Sequence, residues 1–177
     1  MPREAAHNGL TAFRLRRRCL VILLCLFQSG AVTIEVTPEG QQRLQRLRRD
    51  VSLVDAAGGG NTEAVRAAVR DGAAVDNRRG PNGATPLIVA ANEGHGDACR
   101  VLLRECGADP NAIGRDGRTA LMSAASRGDA HMCRVLLGGG ADERIKNWKG
   151  ETAVGCATGD AVQRLLSDLP VSGGPMG

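Results

Sequence analysis

Apolar and polar positions recur in blocks along the second half of this sequence. A short apolar run, Leu87-Ile88-Val89-Ala90-Ala91, ends in the polar break Asn92-Glu93-Gly94-His95, and a second run follows at helical spacing, Cys99 with Val101-Leu102-Leu103. The same order returns as Ala120-Leu121-Met122 with Ala124-Ala125, the break Ser126-Arg127-Gly128-Asp129, and Cys133 with Val135-Leu136-Leu137. Runs of this length, split by a glycine, predict two short helices joined by a tight turn, each with one apolar face. Upstream, Leu44, Leu47 and Val51 fall at helical spacing among Arg43, Arg46, Arg48 and Arg49, after Pro38. They predict a basic amphipathic helix with a narrow apolar stripe.

The blocks have a period. Thr85 and Thr119 stand 34 residues apart, and Thr119 and Thr152 stand 33 apart. Gly83, Gly117 and Gly150 each precede that Thr by two, where a hairpin turn uses a positive φ. Thr85, Thr119 and Thr152 are placed to cap the next helix, and Pro86 sits where its missing N–H costs nothing. Gly94 and Gly128 suit the end of the first helix, and Gly107 and Gly140 the end of the second. A unit of this size cannot bury its own apolar face and must stack on its neighbours.

Thr85-Pro86-Leu87 with Ala90-Ala91, the two Gly-Ala-Asp triplets (Gly107-Ala108-Asp109 and Gly140-Ala141-Asp142) and the period near 33 together resemble the ankyrin repeat family. The resemblance implies an all-α repeat solenoid: paired short antiparallel helices joined by β-hairpin loops, in about four repeats, two of them degenerate caps. The expected repeats are 51–84, 85–118, 119–151 and 152–168. Residues 1–31 are then a basic N-terminus with an apolar run, 32–50 a linker and capping helix, and 169–177 a Gly/Pro/Ser-rich disordered tail. Ile88 and Met122 stand where the family prefers His.

Charge changes this picture only at the N-terminus. The formal net charge is +4, but it concentrates in residues 1–50, and the repeats are nearly balanced. That weighs against nucleic acid on the repeat surface. Arg14-Leu15-Arg16-Arg17-Arg18 precedes the apolar run Cys19–Phe27, and Ser29 and Ala31 are small. The segment reads either as a secretory signal peptide, making this a secreted or membrane-targeted effector, or as an apolar extension of a cytoplasmic or nuclear protein. Membrane contact is expected only through residues 14–34. A further alternative is contact of the arginines at 14–18 and 43–49 with nucleic acid or acidic lipid.

Candidate chemistry is sparse. There is no phosphate-loop motif, no Tyr, and no acid–base or nucleophile constellation, so no catalytic residue, cofactor or metal site is expected. His95 and Cys99 are four apart, but the Cys occupies a core position. Equivalent positions in stacked helices lie about 10 Å apart, beyond the disulfide limit of about 7 Å. Cys99 and Cys133 therefore read as buried thiols, and Cys156 likewise.

The resemblance implies a monomeric, non-catalytic module that binds an unidentified protein partner through hairpin tips and the exposed side of each first helix. Carried onto this sequence, that surface comprises Asn77, Arg78, Arg79 and Asn82; Arg115, Asp116 and Arg118; and Asn147, Trp148, Lys149 and Glu151. Asn92, Glu93, Ser123, Ser126 and Arg127 complete it from the first helices. Trp148, the single Trp, suits a binding anchor, the alternative being a ring lying over the neighbouring hairpin.

Overall fold

The computed structural model describes residues 37–167, which form eight α-helices and one short 3-10 turn. In chain order these are α1 (Pro38–Gly58), α2 (Thr62–Arg70), the turn Pro81–Gly83, α3 (Pro86–Glu93), α4 (Gly96–Arg104), α5 (Ala120–Arg127), α6 (Ala130–Gly138), α7 (Ala153–Cys156) and α8 (Asp160–Ser167). α3 stacks on α5 and α5 on α7, while α2, α4, α6 and α8 stack in a second layer. This is the all-α repeat solenoid of four helix pairs.

Small residues set the spacing of the layers. Ala90, Ala91, Ala124 and Ala125 are completely buried, and between them sit Leu53, Leu87, Leu102, Leu121, Met132 and Leu136. Cys99 and Cys133 lie in the same core, packed as small apolar groups. Ile88 and Met122 are buried as well. Met122 and Ile88 are also the residues whose backbone N–H groups meet the helix-capping Thr119 and Thr85 hydroxyls. Gly94 and Gly128 close α3 and α5 in left-handed geometry. Among second helices, Asn61 and Asp129 cap α2 and α6.

Polar side chains carry the stacking from one repeat to the next. Between repeats Asp76 accepts from the Asp109 N–H and Asn111 from Asp142, and within the first pair Asp50 accepts from Ala74, at 2.8–3.1 Å. Thr158 reaches back to the Ala125 and Ser126 carbonyls. Each helix pair is thus tied to its neighbour by side-chain to backbone bonds as well as by apolar contact.

Three features differ from the expectations. A single helix crosses the boundary drawn at residue 50, because no proline stands between Glu39 and Ala57 and the one glycine, Gly40, lies in the first turn. Leu53, Val54, Ala56 and Ala57 face the core from α1, and the Leu44–Leu47–Val51 stripe falls about a third of a turn away. Leu44 and Val51 are each 47% exposed. Thr152 makes no side-chain cap, and the helix it precedes is one turn long. The expected hairpins are loops without strands among the described residues, each closed by one cross-loop bond: Gly80 N–H to Ala84 O, Gly114 to Arg118 and Asn147 to Glu151.

No helix among the described residues is long and apolar enough to cross a membrane. The apolar run 19–27 and the tail 169–177 lie outside the described residues.

Candidate docking surface

The loops and first helices place six of the expected residues around one open concavity. Asn82 and Asp116 come from successive loop tips, Asn92 and Glu93 from the end of α3, and Arg118 and Ser123 from the start of the next repeat. Ala84, Ile88 and Val89 provide its apolar floor. The geometry follows from the period: equivalent loop tips stack, and Arg115 N–H donates to Asn82 O at 3.1 Å between them.

Arg118 is the central charge of this concavity. Its Nη2 donates to Ser126 Oγ at 2.8 Å and to Met122 O at 3.4 Å. Its Nε is buried with no hydrogen-bond partner among the described residues, which leaves a donor desolvated. Carboxylates of Glu93 and Asp116 share the rim, so the surface mixes both signs over an apolar floor. Asp116 also accepts from the Arg118 N–H and so shapes its own turn.

Arg127 and Trp148 tie repeats together. Arg127 Nη1 donates to the Asn92 carbonyl at 2.6 Å, across the repeat boundary. Trp148 is 68% exposed, yet its indole Nε1 donates to Arg115 O at 2.5 Å. The ring lies over the preceding loop, and much of it stays open to solvent. Lys149 and Arg78 are exposed, the exposed Arg115 lies across Gly83 of the preceding loop, and Arg79 leans toward Asp50 at 3.9 Å.

Asn77, Asn147 and Ser123 correct the list. Asn77 is buried, donating to Ala74 O and accepting from Arg79 N–H. Asn147 is buried, accepting from Lys149 and Glu151 N–H groups and donating to Glu151 Oε2. Both amides replace backbone partners inside the turn, and a buried amide so engaged has little to offer a partner. Ser123 lies under the concavity with its hydroxyl committed to Thr119 O. Glu151 is partly committed in turn, since its carboxylate holds Asn147.

Sequence reasoning missed the cations of the other layer. Arg100, Arg104, His131 and Arg134 line a groove between α4 and α6, and their spacing matches no binding motif. Among the described residues no group of three or more His, Cys, Asp or Glu side chains converges to hold a metal ion.

A family model for ankyrin repeats, in three copies, matches residues 40–114 and 106–172. The chain belongs to the ankyrin repeat family, whose domains are generally protein–protein interaction modules and typically non-catalytic. A search of curated proteins finds no match for it.

Proposed function

We propose that this chain is a non-catalytic docking module whose loop-and-first-helix surface holds a protein partner. The observation that carries this reading is the concavity of Asn82, Asn92, Glu93, Asp116 and Arg118 over Ala84, Ile88 and Val89. An apolar floor with a few convergent polar groups is the composition of a binding site. Arg118 adds a driving force, because its unsatisfied Nε gains an acceptor if the guanidinium turns toward an incoming carboxylate or carbonyl. Trp148, rigid, exposed on one side and anchored on the other, extends the surface as a contact of the type that dominates interfaces. Because the helices are already packed, docking requires little ordering of the module.

The test is site-specific photocrosslinking in cells. A photoreactive side chain at Asn82 or Glu93 is expected to give a discrete protein adduct, and Arg118→Ala in the same chain to reduce it. Adducts formed only from second-helix positions such as Arg70, with none from the concavity, would overturn this assignment.

A further inference from the structure

The second-helix layer carries a separate recess. Leu103 from α4 and Val135 from α6 form its apolar floor, and Arg100, Arg104, His131 and Arg134 surround it. Gly138 and Gly139 line it at the end of α6 without side chains: a Cβ at Gly139 would strike Leu103 on the floor, and one at Gly138 would meet nothing within 4 Å. The basic residues are poorly neutralised. Asp97 pairs with Arg100 at 3.0 Å, but Arg104 and Arg134 enter no ion pair among the described residues. The nearest candidate carboxylate in sequence, Glu105, is held by Arg66 instead.

His131 sets the direction of the rim. Arg100 Nη2 stands 2.9 Å from His131 Nε2, and a guanidinium has only donors. Nε2 therefore accepts in this contact, and Arg100 is held along the recess. Such a rim has a surplus of donors and positive charge over aliphatic atoms.

We propose that the α4–α6 recess is a second docking site, which takes an acidic peptide segment of a partner protein. An aliphatic side chain of the segment rests on Leu103 and Val135, while flanking carboxylates take Arg104 and Arg134, in two-pronged geometry where both oxygens reach. Charge complementarity selects this occupant. A lipid surface fits poorly, since Leu103 and Val135 are only partly exposed and no large exposed apolar side chain stands in the recess to insert. A nucleic acid strand fits poorly too, since no Phe, Tyr or Trp lines the recess to stack a base, and the one imidazole, His131, is engaged at its edge by Arg100. This site is independent of the concavity around Arg118 and stands or falls without it.

The probe is a fluorescein-labelled peptide of alternating Glu and Leu, titrated against the full chain by anisotropy. Saturable binding that weakens with added salt is expected, since the rim is exposed. Arg104→Glu with Arg134→Glu should weaken it by about tenfold or more. Gly138→Leu adds an apolar side chain to the wall of the recess without changing charge, at an exposed helical position where a Cβ meets nothing within 4 Å, so it should crowd the segment and weaken binding while the melting curve holds. Arg48→Glu with Arg49→Glu on α1, and Trp148→Ala, should leave it unchanged. Full binding by both recess variants overturns the site, and so does equal loss in the α1 variant. Phosphatidylserine vesicles or a single-stranded oligonucleotide that displace the peptide and share its sensitivity to Gly138→Leu overturn the choice of occupant.

Discussion

Trp148 lies across Gly117 of the preceding loop, so closely that a Cβ on that glycine would come within 2.8 Å of the Trp148 backbone N and 2.9 Å of its ring. Gly117 also has φ +75°, where a side chain costs about 1–2 kcal/mol by itself. Gly117→Ala is therefore predicted to destabilise by about 2 kcal/mol or more, and Trp148→Ala by less, since it loses a partly exposed contact and one hydrogen bond. Thermal melts by circular dichroism check both. A larger loss from the Trp148 variant would make the ring chiefly a structural cover.

Leu102 is fully buried in the middle of the stack. Leu102→Ala should cost about 2–5 kcal/mol, with the cavity contributing to the spread. Urea denaturation with an unchanged midpoint would show that α4 is packed on another face.

Arg66 and Glu105 join neighbouring second helices through two parallel bonds, Nε to Oε2 at 2.7 Å and Nη2 to Oε1 at 2.9 Å. Hydrogen bonding and the charge of Arg66 hold the Glu105 carboxyl below its ordinary value of 4.5. A depressed carboxyl contributes stability that is present above its unfolded value and is lost as the pH falls through the folded one. The pair is exposed, so its effect is small and salt-sensitive. Wild type should lose stability faster than Glu105→Gln below about pH 4.5, which paired acid melts at low salt would reveal; coincident acid limbs would count against the pair.

Burial, with a smaller effect of Asp129, pushes the Cys99 thiol up to about 12 and the Cys133 thiol up to about 11. Iodoacetamide at neutral pH followed by peptide mapping should leave both unmodified in the folded chain and modify both in urea. Their ordinary value is 9.0, so the unfolded chain releases these protons first and stability should fall as the pH rises above about 9. Rapid labelling in native buffer would contradict the packing of α4 and α6.

Asn147→Ala removes a buried amide that serves three backbone or side-chain partners in one turn. A loss of about 1–3 kcal/mol is expected, with the loop of Trp148 disordered. Amide exchange at Lys149 and Glu151, the two N–H donors to Asn147 Oδ1, should accelerate; unchanged exchange would return Asn147 to the set of surface residues.

Much of this architecture is readable from local signals. Thr85 and Thr119, Pro86, the Ala pairs and the Val-Leu-Leu runs each state a backbone role, and they repeat at one period. What escaped has physical reasons. Helix α1 runs through residue 50 because no helix-stopping residue stands at the boundary that the repeat period suggests. Asn77 and Asn147 have the composition of an exposed tip, and only their hydrogen bonds reveal that they are buried. The Arg104–Arg134 recess joins residues from separate repeats, and part of its wall is the bare backbone of Gly138 and Gly139, which read in sequence as no more than a helix end.

The last first-layer helix, α7, is a single turn without a side-chain cap, and this has a consequence for how the molecule would respond to load. A linear stack frays from its weakest end, and the loop bearing Trp148 leads directly into that end. Opening there would release the indole from Arg115 before α3 and α4 loosen. A partner that grips Trp148 would thereby act as a clamp on the terminus, slowing its amide exchange far from the contact itself. Recognition and the order of the C-terminal repeat would then be measured by one and the same equilibrium.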